Sequence, residues 1–457
     1  MISLQKQEVK REGFGTSLGV IAATLGSAVG LGNIWKFPYM TGENGGAAFI
    51  FVYLISTFLV GLPVMISEFI IGRRANRAAV GSFKKLAPGR PWYFTGIAGM
   101  VSAILIMAFY TTVAGWVFAY AFKAITGSLN VTDAESAKQA FNSLAGSVWT
   151  PLIWQWLVLA LASTIIIGGV RGGIERITKT LLPILFVLLL VCDIRALTLS
   201  GASEGLKFLF QPDFSKITGV TVLMALGLSF FKLSVGVGTM TTYGSYIGKN
   251  ESLPGTAVKV MFSDIIVSIL AGIAIFPAVF SFGLEPESGP PLLFFTIPMV
   301  FNAMPLGQVF LALFFILTSI ATIGAMLSLL EVPVSYLHEE KNWNRKTATA
   351  ASALVIAALG STATLSSSVL ADFKLFDKSM FDLMDFMSSN ILMPAAGIFI
   401  ALFAGYKLGP RVVYDEATNR GRLANRFFVS IYLFIVRFIA PLAIIIVLLS
   451  GLGIIKL

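Results

Sequence analysis

The chain has 457 residues, 56% of them hydrophobic and 12% charged, with a mean hydropathy of +0.85 and a formal net charge of +10. No soluble domain of this size hides so much apolar surface, so the composition describes an all-α polytopic membrane protein. The positive balance does not point to nucleic acid, because the basic residues sit in short loops between apolar stretches, while one cysteine (Cys192) and one histidine (His338) exclude an intrachain disulfide and a His-based metal cluster.

About eleven spans are predicted, near residues 15–40, 45–71, 92–125, 149–169, 174–197, 217–246, 255–283, 306–337, 347–366, 381–407 and 424–450. No cleavable signal peptide is visible, and Lys6, Lys10 and Arg11 lead directly into the first span. That places the N-terminus in the cytoplasm and, with eleven spans, the C-terminus outside an inner (plasma) membrane of bacterial type. Arg73, Arg74, Arg77, Lys84, Lys85 and Arg90 then fall inside, as do Arg171, Arg176 and Lys179, and later Arg411, Arg420, Arg422 and Arg426. The loops 126–148 and 284–305 fall outside and carry few Lys or Arg or none; the second is rich in Pro and Gly yet apolar, as a lid that dips back into the protein would be.

The first span contains Gly26-Ser27-Ala28-Val29-Gly30-Leu31-Gly32-Asn33, with three glycines in seven positions. Such a stretch is poor helix material, and unwound backbone in a bilayer is tolerated only where it is buried in protein or lines a polar cavity. Glycines spaced by four also suit close helix packing. The sixth span repeats the fault: Val29-Gly30-Leu31-Gly32 has a near copy in Val235-Gly236-Val237-Gly238. If spans one to five and six to ten are two halves, each half opens on a broken helix, and an odd number of spans per half inverts one against the other. This is the sequence pointer to a transporter site at the membrane midplane. The fold expected is therefore a 5+5 inverted repeat with broken first and sixth helices. It forms one transporter domain over 1–457, with repeats at about 12–200 and 215–408 and an additional helix at about 424–450.

Lys232 lies some 14 residues from either end of the sixth span, too deep at about 1.5 Å per residue to reach water. Asp264 sits about ten residues into the seventh span, at about the same depth, so the two are expected to pair. A static pair that only fixes helix packing is the plain alternative. Glu68 and Glu331 are expected to satisfy broken backbone, and Lys36, Asp385, Arg11 and Glu339 lie near the two surfaces.

These residues resemble the neurotransmitter:sodium symporter family, in particular its bacterial amino-acid transporters of the LeuT-type fold, over nearly the whole chain. The most specific motif is Gly26–Asn33 followed by Trp35-Lys36-Phe37-Pro38-Tyr39. Glu43-Asn44-Gly45-Gly46, Glu68-Phe69 with Gly72-Arg73, Gly172-Gly173-Ile174-Glu175 with Pro183, and Leu329-Leu330-Glu331-Val332 support it. The resemblance implies alternating-access transport of an amino acid or similar carboxylate-bearing solute. It implies a carboxylate site at the N–H groups of Leu31 and Gly32 and the Tyr110 hydroxyl, beside Gly30. It implies an amine site at Ala28, Phe231 and Ser234, and a side-chain pocket at Ile106, Phe231, Val237, Ala325 and Leu329. The small Val237 and Ala325 suggest a medium or large apolar side chain. Phe231 with Tyr110 would form a thin gate, Lys36 and Asp385 an outer one, and Arg11, Tyr246 and Glu339 an inner one.

The sodium positions depart from the family pattern. The first site, usually Ala28, Asn33, a Thr or Ser and an Asn, has Lys232 and Asp264 at the last two places (Ser263 if the alignment slips by one). The second, usually carbonyls at Gly26, Val29 and Ala321 plus two hydroxyls, has Gly324 and Ala325 in place of the hydroxyls, a thin shell for a hard cation. An ammonium at Lys232 would supply the same single positive charge with three donors, shared among Asn33, a carbonyl or Asp264, and the substrate carboxylate. Na+ and H+ therefore both stand as coupling ions, and no organic cofactor, nucleic-acid partner or catalytic residue is implied. The partners expected are a small solute and the lipid bilayer. An ordinary sodium-coupled symporter with Lys232–Asp264 as a structural pair is one alternative; a ligand-binding membrane sensor without transport is another. A channel lacks its continuous polar pore here, and an enzyme its nucleophile–base cluster.

Overall fold

The computed structural model describes residues 12–129, 131, 133–283, 293–302 and 304–455. Helix α1 has two arms, Ser17–Ala28 and Gly32–Glu43, bent by 51° at the break. There follow α2 (Ala47–Ala75), α3 (Tyr93–Ile125), α4 (Trp149–Ile167) and α5 (Val170–Leu197). Helix α6 is again in two pieces, Gly219–Lys232 and Thr239–Gly244. The rest are α7 (Leu253–Ser281), α8 (Gly307–Glu340), α9 (Arg345–Leu365), α10 (Met380–Lys407) and α11 (Arg426–Gly451). Among the described residues nine helices are long and apolar enough to cross a membrane, and the bent pair of α1 makes ten. The pieces of α6 are each too short to count alone because the break divides them.

The helix ends fall within about four residues of the sequence expectation, with caps that explain them. Thr16 accepts from Gly19 N at the start of α1, and Thr218 and Thr221 form a capping box at the start of α6. Composition did not reveal the short helices between spans, such as Ala79–Leu86, Ala134–Ala145 and Ala202–Phe210. At 8, 12 and 9 residues they are too short to read as spans, and tertiary contacts hold them. The expected lid falls partly outside the described residues (284–292 and 303); its second half is buried, with Phe294 against Trp116, Tyr120 and Phe315.

The first break is narrower than the glycines suggested. Ser27 and Ala28 are still helical, Val29 is extended (φ −82°, ψ 110°), and a wide π-type turn resumes at Gly32–Lys36. One extended residue is enough to break the i→i−4 ladder. The second break spans 233–238, where Ser234, Gly236 and Gly238 have positive φ of 51°, 79° and 78°. Glycine is needed at 236, where an added Cβ would lie 2.6 Å from the Met393 carbonyl oxygen.

Glu68 on α2 carries the second break. It is fully buried; its Oε1 accepts the Gly236 N–H at 2.6 Å, and its Oε2 accepts the Thr241 N–H and hydroxyl, each at 2.9 Å. Glu331 does not act in this way. It accepts from Tyr246 Oη at 2.8 Å and pairs with Arg345 Nη2 at 2.6 Å, because the short connection from α8 to α9 brings that arginine back beside it. Glu68→Gln turns an amide N–H₂ toward one set of donors and should cost about 1–3 kcal/mol. A thermal melt of the detergent-solubilised protein reads this as a lowered Tm, and an unchanged Tm would show that the carboxylate does not hold the break.

Candidate functional site

The breaks in α1 and α6 face each other, and their peptide groups have been redirected. In a continuous helix the Gly30 N–H would bond the Gly26 carbonyl; here it donates to Asn33 Oδ1 at 3.2 Å. The Leu31 N–H donates to Tyr110 Oη at 3.1 Å, and the Asn33 N–H turns to the Gly30 carbonyl at 3.0 Å. The carbonyls of Gly26, Ser27 and Val29 thus lose their helical donors. Ser27 O is recaptured by the Ser234 hydroxyl at 2.9 Å, a bond that ties one break to the other.

Behind the breaks lies a closed polar cluster. Lys232 is the last residue of the first α6 piece, where the helix dipole favours a cation. Its Nζ is 3.0 Å from Asp264 Oδ2, 3.1 Å from Tyr53 Oη, and hydrogen-bonded to Ser268 Oγ. The rings of Phe37 and Tyr53 lie 4.8 and 4.9 Å from it. Asn33 Nδ2 donates to Asp264 Oδ1 at 2.7 Å, its carbonyl at 3.1 Å and Ser268 Oγ at 3.0 Å. The expected pair therefore forms, with both side chains fully buried. An ammonium has three donors, and all three are engaged by α2 and α7. The lysine stem lines the cavity, but its head does not reach into it as a carboxylate ligand.

The cavity between the breaks has a volume of about 30 Å³. It is lined by Ala28, Gly30, Gly32, Ile106, Tyr110, Phe231, Lys232, Ser234, Val237, Ala325 and Leu329, all singled out from sequence, and also by Ser27 and Met393. Leu31 is buried beside it and contributes its N–H to Tyr110. A second, smaller cavity of about 10 Å³ adjoins Gly26, Val29, Thr178, Ala321 and Gly324. A Cβ on Gly324 would sit 2.5 Å from the Gly26 carbonyl oxygen, so α8 touches α1 directly there.

The model of the sodium:neurotransmitter symporter family matches residues 11–145 and 138–456. The chain belongs to this family. It is 39% identical to the uncharacterized sodium-dependent transporter YhdH of Bacillus subtilis, over 98% of this chain and 99% of that one. It is 35% identical to an uncharacterized sodium-dependent transporter of Haemophilus influenzae, over 97% and 98%. Among solved structures it resembles MhsT in complex with L-phenylalanine, with a TM-score of 0.90 and 44% identity over 96% of this chain and 100% of that one. The protein is thus a membrane transporter of the symporter family and not an enzyme.

The residues expected at the gates make other contacts than the pairs the resemblance implies. Lys36 sits 4.0 Å from the Phe231 ring centroid, and Asp385 accepts from Ser389 Oγ at 2.8 Å; no ion pair joins the two. The long lysine stem reaches the Phe231 ring in preference to the carboxylate. On the inner set, Tyr246 bonds Glu331, Glu339 accepts the Ala78 N–H at 2.9 Å, and Arg11 lies outside the described residues. Sequence reasoning missed Tyr53, Ser268, Arg345 and Met393. Ser268 was legible, being one helical turn from Asp264 on the same face of α7. Tyr53 and Met393 come from α2 and α10, which only the packing brings here. Asp264→Asn strands a buried ammonium and should cost about 3–5 kcal/mol, whereas Lys232→Met combined with Asp264→Asn should cost less than Asp264→Asn alone. Melting Asp264→Asn, Lys232→Met and the double variant in detergent checks this; additive losses would contradict a coupled pair.

Proposed function

We propose that this symporter-family protein carries an amino acid with a medium or large apolar side chain by alternating access, with Lys232 in the place of the first sodium ion and protons as the coupling ion. The observation that carries this reading is the Lys232 ammonium itself, buried at an ion-site position among Asp264, Tyr53 and Ser268. It supplies the positive charge and the bridge between α6 and α7 that a cation would supply, and through Asp264 it also reaches Asn33 of α1. The solute carboxylate then exchanges the Leu31–Tyr110 hydrogen bond for its own bonds to the Leu31 and Gly32 N–H groups and the Tyr110 hydroxyl, where a helix N-terminus favours an anion. Its apolar side chain faces Ile106, Phe231, Val237, Ala325 and Leu329. The phenylalanine bound by MhsT supports an amino-acid solute of this size.

The second ion position supports the same conclusion. Gly324 and Ala325 contribute no hydroxyl, and the direct contact of α8 with Gly26 leaves no room for a side chain at 324. On this reading Lys232 and Asp264 move the proton, since they are the titratable pair in contact with both broken helices. A second reading has its own support: all three lysine donors are already engaged, as a purely structural pair would be, and the relatives are named sodium-dependent. On that reading the protein is an ordinary sodium-coupled symporter.

Uptake of L-phenylalanine and L-leucine into proteoliposomes separates the two. Replacing sodium by choline should change uptake less than about twofold, an inward proton gradient should raise it, and Lys232→Thr should lose binding or acquire sodium dependence. Strong sodium-driven uptake that survives Lys232→Met would establish the second reading. Saturable binding without flux would point to a sensor.

A further inference from the structure

We propose that Met393 is the deformable wall of the solute cavity and sets the range of apolar side chains the site accepts; this rests on the amino-acid reading above. Met393 lines the cavity and is 2% exposed, although it comes from α10, outside the broken helices. Two features of the chain put it there. It follows a π-type stretch, Phe386–Leu392, and precedes Pro394, which withholds an N–H from the helix ladder. Its carbonyl is pressed against Gly236 of the second break, where an added Cβ would lie 2.6 Å away. The α10 backbone is thus held tightly to α6, and Met393 lines the cavity.

Apart from Leu329, the other large walls are stiffer. Ile106 and Val237 are β-branched and stiff about χ1. The Phe231 ring carries Lys36, and the stem of Lys232 is anchored by its head. Methionine is unbranched, has three rotatable side-chain bonds, and makes favourable contacts with aromatic rings through its thioether. A larger solute side chain is therefore accommodated by displacement of Met393, with the polar end of the cavity unmoved. The plain alternative is that Met393 only fills space behind the α6 break.

The test is a thermal-shift titration of the purified protein with L-valine, L-leucine, L-phenylalanine and L-tryptophan, for the unmodified chain and Met393→Ala, Met393→Leu and Met393→Phe. The unmodified protein should bind leucine and phenylalanine with similar Kd. Met393→Ala should shift the tryptophan-to-leucine affinity ratio upward by on the order of tenfold, and Met393→Phe should shift it downward by a similar factor. Met393→Leu keeps the volume but stiffens the wall, so it should weaken tryptophan several-fold relative to leucine, and it keeps the test decisive if the alanine variant does not fold. Ratios unchanged in all the variants, with binding by the unmodified protein intact, would overturn the proposal and leave the amino-acid reading standing. No shift with any of the four in the unmodified protein would overturn the amino-acid reading, and the proposal with it.

Discussion

A helix broken inside a bilayer leaves peptide groups that water cannot reach, and the rest of this structure depends on how they are satisfied. Two side chains do most of it. Glu68 accepts three donors at the α6 break, and Asn33 uses its Oδ1 for the Gly30 N–H while its amide holds α7. Tyr110 and Ser234 complete the arrangement, one taking the Leu31 N–H and the other donating to Ser27 O. Because Glu68, Tyr110 and Ser234 each reach the break of another helix, these unwound peptides are satisfied only when α1, α2, α3 and α6 are assembled. Local structure and tertiary structure are the same event at this site.

The buried charges obey the same constraint. A lone ammonium at this depth would be prohibitively costly, and a lone carboxylate equally so. Together, with a tyrosine, a serine and two aromatic faces, they form a cluster of no net charge in which every donor of the lysine has an acceptor. Unlike an ion bound from solution, this ammonium is tethered to α6, and its contacts join that helix to α2 and α7.

Much of this was legible in the residues themselves. The span count, the duplicated Val-Gly-x-Gly breaks and the depth of Lys232 and Asp264 follow from hydropathy, from glycine's conformational cost and from the 1.5 Å rise of a helix, all of which are local or one-dimensional. Ala28, Gly30, Gly32, Phe231, Lys232, Ser234 and Val237 of the cavity lining lie beside breaks that the chain marks with glycine, whereas Ile106, Tyr110, Ala325 and Leu329 were located by the family resemblance. What only the tertiary structure decided is which acceptors the charges chose. Lys36 rests on Phe231 and not on Asp385, Glu331 takes Arg345, and the Lys232 head turns to Tyr53 and Ser268. The same is true of Met393, brought to the cavity by α10. Long side chains can reach several partners within a few ångströms, and their choice depends on how helices distant in sequence are rotated against one another, which no periodicity in a single helix records.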